Sequence, residues 1–277
     1  MVELPGPLVS PDWLEANLSQ VRVVDVGWSI EQGPHLDRYR SRHIPGAVFC
    51  DLDADLSAPP GTRGRHPLPT PDDFATARAR LGAGRLPVVA YDDRGGPTAA
   101  RLWWMLDAIG HPVAVLDGGL ANWHGALDAG ESESFTDSVD PVPWPADRFI
   151  PVGDVLDAVD DGALVLDARS AERFAGADNP IDTRPGHIPG SVSRPWTDNV
   201  DDGGRFRSSH QLRADFEGLG ATEETSLVAS CGSGVTACHD LLAARIAGFP
   251  PGRLYVGSWS EWSQDPDRPV ATDRDGA

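Results

Sequence analysis

Nowhere in this 277-residue chain does an apolar run reach the length a bilayer demands, about 18 residues or more, so a membrane-spanning helix is not expected. Cysteine is scarce. Cys50, Cys231 and Cys238 are too few and too scattered for a disulfide scaffold, and a reducing, cytoplasmic setting is the expectation. The N-terminal stretch 1–17 carries Glu3, Pro5, Pro7, Pro11 and Asp12 and lacks both the basic start and the continuous apolar core of a secretory leader. Positive charge is also short: 23 Lys and Arg stand against 42 Asp and Glu, a net charge of −19. Such a balance argues against non-specific binding to nucleic acid or to anionic membrane surfaces. The glycines at 95–96 and 118–119 do not form the Gly-x-Gly-x-x-Gly of a nucleotide loop. Cys231, Cys238 and His239 have no zinc-site spacing, so neither a metal nor a cofactor is expected.

What the chain does contain is itself, twice. Val23-Val24-Asp25-Val26 returns as Val165-Leu166-Asp167-Ala168, and Arg42-His43-Ile44-Pro45-Gly46-Ala47-Val48 as Gly186-His187-Ile188-Pro189-Gly190-Ser191-Val192. Val89-Ala90-Tyr91-Asp92 matches Val228-Ala229-Ser230-Cys231, and Gly118-Gly119-Leu120-Ala121-Asn122-Trp123 matches Gly257-Ser258-Trp259-Ser260-Glu261-Trp262. The offsets are 142, 144, 139 and 139, nearly constant and in order, which marks a tandem duplication. The polar, proline-bearing stretch 131–147 reads as the linker between a first domain, 1–130, and a second, 148–277.

Each half alternates strand and helix signals. Short apolar or β-branched runs at 21–26, 47–50, 87–91 and 113–116 predict buried strands, as do 164–168, 191–193, 226–230 and 253–256. Ser10-Pro11-Asp12 and Thr70-Pro71-Asp72-Asp73 place a capping residue before proline and acids, a helix start. Residues 98–109 and 237–247 continue as helices. This alternation implies an α/β fold in which each half has a mostly parallel central sheet flanked by helices. Ligands in such sheets bind beyond the carboxyl ends of the strands.

Cys231 lies at such an end. It follows the run 226–230 and opens the loop Cys231-Gly232-Ser233-Gly234-Val235-Thr236 before the helix at 237–247. A strand-to-helix turn gathers unpaired backbone N–H groups and the helix dipole, a setting that favours the reactive thiolate. Cys238, two helical turns further and about 10 Å along, is expected to pack in the core. The loop has no basic residue and Ala237 stands where a cysteine phosphatase needs its arginine, so phosphatase chemistry is not expected.

With these motifs together, the chain resembles the two-domain rhodanese-type sulfurtransferases, the 3-mercaptopyruvate/thiosulfate sulfurtransferase family, over nearly its whole length. The paired His-Ile-Pro-Gly segments, the Asp117-Gly118-Gly119 before Trp123, the segment 257–262 and above all the Cys231 loop carry the likeness. The resemblance implies two tandem rhodanese-like domains, the second holding the nucleophile. The first would be silent, since Asp92 stands in it where the second has Cys231. Sulfur would pass through a Cys231 persulfide, from a small donor to a thiol such as thioredoxin, or to cyanide. Relatives that prefer thiosulfate carry basic residues just after the cysteine. Gly232 and Ser233 stand there here, which favours 3-mercaptopyruvate, with thiosulfate as the alternative donor and a non-catalytic binding module as a third reading.

The resemblance also distributes roles. The backbone amides of Gly232, Ser233, Gly234, Val235 and Thr236 would cradle the sulfur. Arg173, in the Arg-Phe pair after Asp167-Ala168-Arg169, and Arg184, three residues before His187, are expected to hold the donor carboxylate. Ser233 would polarise the donor or relay a proton. His43 is the expected histidine partner, with His35 and Asp37 occupying the region where its acidic neighbour would lie.

Overall fold

Side chains mark where the helices begin. In this computed structural model, which describes residues 2–132, 135 and 138–272, Ser10 and Thr70 accept hydrogen bonds from Trp13 N and Asp73 N. Each caps a helix that opens on proline, α1 (Pro11–Asn17) and α4 (Pro71–Arg80), as their sequences predict.

The chain divides into two units, each discontinuous in sequence. The first comprises Met1–Ala58, Leu68–Trp144 and Val200–Phe206, and the second Pro59–Pro67, Pro145–Asn199 and Arg207–Ala277. In the first unit β1 (Leu8–Val9), β2 (Arg22–Asp25), β5 (Val48–Phe49), β6 (Val88–Tyr91) and β7 (Val113–Leu116) form one parallel sheet in the order β1-β7-β6-β2-β5. A small antiparallel pair, β3 (Trp28–Ser29) with β4 (Gly33–Pro34), lies outside it. The remaining helices of this unit are α2 (Leu36–Ser41), α3 (Leu52–Asp55) and α5 (Ala99–Ala108).

The second unit repeats the plan. β8 (Leu164–Asp167), β9 (Val192–Ser193), β10 (Leu227–Ser230) and β11 (Arg253–Leu254) form a parallel sheet in the order β11-β10-β8-β9. Its helices are α6 (Val155–Asp160), α7 (Ala171–Phe174), α8 (Ser209–Gly218), α9 (Ala237–Ile246) and α10 (Ser258–Trp262). The edge strand β1 has a reduced counterpart here, a single parallel bridge from Phe149 to Leu254. The strands anticipated from apolar runs are present in both units; β1 and the β3–β4 pair are too short to announce themselves by periodicity.

Parallel strands buried on both faces read as continuous apolar runs, and β6, β7 and β10 are buried throughout. The first unit packs Val23, Val89, Tyr91, Ala114 and Leu116 against Tyr39, Ile44 and Trp123. The second packs Val165 and Val228 against Ile188, Tyr255, Trp259 and Trp262. Each large side chain so buried contributes about 1.5–3 kcal/mol. Of the expected linker at 131–147, residues 133, 134, 136 and 137 lie outside the described residues, and Ala146–Arg148 forms one 3-10 turn. Among the described residues no helix is long and apolar enough to cross a membrane.

Candidate active site

β10 ends at Ser230 and α9 begins at Ala237, so the Cys231 loop occupies the carboxyl end of the second sheet. Cys231 Sγ accepts hydrogen bonds from the backbone amides of Gly234 at 3.1 Å and Ser233 at 3.5 Å. Of the five amides expected around the sulfur, these are the two that the geometry aims at it. The turn depends on Gly234, whose φ of +77° lies in the left-handed region and whose absent Cβ would fall 2.3 Å from Val256 O. Val235 and Thr236 instead begin the helix, their carbonyls accepting from Cys238 N and His239 N. Cys238 is buried on α9 and its thiol donates to Gly234 O, the packing position expected of it.

The loop is held from the other side by α10. Trp259 N and Ser260 N, first-turn amides that a helix leaves unpaired, donate to Cys231 O and Gly232 O, both at 2.9 Å. Ser258 Oγ accepts from Cys231 N at 3.0 Å and donates to Tyr255 O at 2.8 Å. Ser258 adopts φ +50°, a conformation that costs a non-glycine residue about 1–3 kcal/mol. The strain sits where it fixes the backbone of the cysteine. Replacing Ser258 by Ala leaves the Cys231 amide buried without its acceptor and is expected to destabilise the protein by about 1–3 kcal/mol. A thermal melt reads this as a lowered Tm; an unchanged Tm would remove the bond from the account.

Ser233 Oγ lies 2.8 Å from His66 Nδ1, and either partner can be the donor according to the imidazole tautomer. His66 belongs to the segment Pro59–Pro67, which is part of the second unit although it is encoded in the first repeat. This is the histidine of the site, and it is not the one expected. His43 is buried in the first unit, stacked on Tyr39 with its Nδ1–H donating to Tyr39 O. His187 does the same in the second unit with Phe174. The His-Ile-Pro-Gly histidines therefore do one packing job in both repeats, and the catalytic role expected of His43 is corrected on that ground.

Arg173 lies on α7 (Ala171–Phe174). Its guanidinium pairs with Asp182 through two hydrogen bonds of 2.9 and 2.6 Å, and Arg169 reaches both Asp167 and Asp182. Burial pushes the Asp182 carboxyl upward, but Arg173, Arg169 and Asn179 more than offset this and hold it below its ordinary range. The turn carrying Asp182 is shaped by Asn179 Oδ1, which accepts from Ile181 N and Asp182 N. Arg184 does not join this cluster. Its guanidinium donates to the carbonyls of Ser263, Asp265, Pro266 and Arg268, and a ring of four backbone acceptors around the end of α10 is a structural anchor. The carboxylate-binding role expected of Arg184 is thus overturned.

The equivalent loop of the first unit holds no thiol. Asp92 takes that place, and its carboxylate accepts from Gly96 N, Thr98 N, Ala99 N and Thr98 Oγ1. Burial raises its pKa to about 6 against the opposing pull of those donors. Residues missed in the sequence reading are therefore His66, Asp182 and Arg65, the last lying beside Gly232.

Fold and site together define a duplicated α/β protein with one loop-cradled cysteine at the carboxyl end of a parallel sheet. The family model of the rhodanese-like domain matches residues 10–126 and again 152–265. A Pseudomonas aeruginosa protein described as "Probable 3-mercaptopyruvate sulfurtransferase" is 44% identical over 278 residues, covering 96% of this chain and 98% of its own. The human 3-mercaptopyruvate sulfurtransferase is 37% identical, with 94% of this chain and 93% of the relative covered. The solved structure of 3-mercaptopyruvate sulfurtransferase from Leishmania major superposes with a TM-score of 0.82 at 32% identity, covering 95% of this chain and 76% of that one. The chain belongs to the rhodanese family.

Proposed function

We propose that the protein is a sulfurtransferase that takes sulfur from 3-mercaptopyruvate onto Cys231 and passes it to a thiol such as thioredoxin, or to cyanide. The observation that carries this reading is Cys231 Sγ receiving two backbone amides in a loop without basic residues, beside the Ser233–His66 pair. The Cys231 thiolate attacks the donor's thiol sulfur. An S–S bond forms as the C–S bond breaks, and the electron pair leaves on carbon as the enolate of pyruvate. That carbon takes one proton, and the Ser233 hydroxyl on His66 is the group placed to deliver it. An acceptor thiolate or cyanide then attacks the outer sulfur and Cys231 leaves as thiolate, so no external oxidant or reductant is needed. The amides of Ser233 and Gly234 hold negative charge on sulfur in both steps. Arg173, oriented by Asp182, holds the donor carboxylate. The second half, 148–277, carries the nucleophile; in the first, 1–130, the loop at Asp92 is silent and the segment 59–67 serves the second unit's site; the setting is cytoplasmic.

Thiosulfate is the second reading, favoured by the arginines around the loop, which also suit a dianion. Comparing kcat/KM for the two donors on one preparation separates them. The expected result is a preference of about tenfold or more for 3-mercaptopyruvate, since the Ser233 hydroxyl on His66 suits the proton demand of breaking a C–S bond, a bond that thiosulfate lacks. Equal or reversed values would make thiosulfate the donor.

A further inference from the structure

Two guanidinium groups lie over Gly232, the residue after Cys231. A Cβ there would stand 2.9 Å from Arg65 Nη2 and 3.1 Å from Arg173 Nη2. Arg65 belongs to Pro59–Pro67, the same segment of the second unit that delivers His66. Arg65 and Arg169 both feel the charge of Cys231. The chain contains no lysine, so every side-chain cation available to the site apart from histidine is a guanidinium.

The three arginines of this cluster are not equally engaged. Arg169 is paired with Asp167 and Asp182, and Arg173 with Asp182. Among the described residues the Arg65 guanidinium makes one long hydrogen bond, Nη1 to Ile181 O at 3.4 Å, and no ion pair within 4 Å. Asp167 and Asp182 are taken up by Arg169 and Arg173, which leaves Arg65 as the cation of this cluster with no carboxylate partner among the described residues. Desolvation lowers the pKa of Arg65, and the attraction of Asp182 and Cys231 does not compensate. The repeat supplies a contrast. Gly64-Arg65-His66 corresponds in register to Gly204-Arg205-Phe206 in the first unit, where Arg205 Nε is committed to Asn122 Oδ1. The arginine is retained in both halves, but in the second unit its guanidinium lies over the residue that follows the cysteine.

We propose that Arg65 is the second anion-binding group of the site and clamps the donor's carboxylate, together with Arg173, over Gly232. The proposal rests on Cys231 being the sulfur acceptor and on the donor being an organic anion. It gives to Arg65 the task that the sequence reading assigned to Arg184. Two planar guanidiniums on one carboxylate fix the donor's orientation as well as its charge.

The test compares alkylation of Cys231 by iodoacetate and iodoacetamide, reagents alike in size and differing in charge, in the full-length protein. Arg65→Gln is expected to lower the iodoacetate-to-iodoacetamide rate ratio about fivefold or more, and Arg65→Lys to keep most of the charge effect. The exposed neighbour Arg63→Gln should leave the ratio within about twofold of wild type, since screening removes distant surface charges. In parallel, Arg65→Gln should raise KM for 3-mercaptopyruvate about tenfold with kcat within about twofold, the pattern of lost uniform binding. An unchanged ratio in both Arg65 variants, or an equal fall in Arg63→Gln, overturns the clamp. If the wild-type protein takes no sulfur from 3-mercaptopyruvate, the donor reading fails while the alkylation ratio still decides the role of Arg65.

Discussion

Cys231→Ser is expected to lower sulfur transfer at least about a thousandfold while leaving the fold in place. The loop geometry explains both halves of that expectation. Serine is slightly smaller than cysteine, and its Oγ can still accept from Gly234 N, so neither a void nor an unpaired buried amide results. A hydroxyl, however, is neither ionised near neutral pH nor able to carry and release a sulfane sulfur. Thiocyanate formation from donor and cyanide measures the loss. Intact mass measures its cause: the wild-type chain gains the mass of one sulfur atom on incubation with donor, and the variant does not. Turnover retained in Cys231→Ser, or a sulfur gained at Cys50 or Cys238 instead, would place the chemistry elsewhere.

Gly234→Ala should be nearly as damaging by a different route. The new methyl would lie 2.3 Å from Val256 O, and the residue would have to keep φ +77°. The left-handed conformation alone costs an alanine about 1–2 kcal/mol, and a backbone carbonyl cannot swing aside as a side chain could. The loop is expected to relax by turning the Ser233 and Gly234 amides away from Sγ. Withdrawing one such preorganised donor costs about a hundred- to a thousandfold in rate in other enzymes, and here two are at stake. A fall of about a hundredfold or more in kcat/KM, with a lowered Tm, is the expected result. Near-normal turnover would mean that the amides do not hold the charge on sulfur.

Much of the architecture was legible because its causes are local. Ser10 and Thr70 cap helices that begin on proline, and β6, β7 and β10 are continuous apolar runs that only a doubly covered sheet requires. Cys231 was legible because a loop from strand to helix is itself a local arrangement. His66, Arg65 and Asp182 were not. Their roles depend on which loops fold back over Gly232, a long-range matter that neither periodicity nor capping reports. The choice of His43 followed its motif, but a motif present in both halves serves what both halves share, here the stacking on Tyr39 and Phe174. Chemistry confined to one half has to sit where the halves differ. Cys231 against Asp92 is one such difference, and His66 against Phe206 is another, visible only once Gly64-Arg65 is matched to Gly204-Arg205.

The crossing of Pro59–Pro67 into the second unit, and of Val200–Phe206 into the first, bears on how such a chain evolves. After duplication, each copy came to rely on a short piece of its sibling. A gene trimmed back to the later copy would encode the nucleophile but lose the imidazole and the spare guanidinium written in the earlier one. That the earlier copy has Asp92 in place of a thiol therefore does not make it disposable, and the two copies are inherited as one whole.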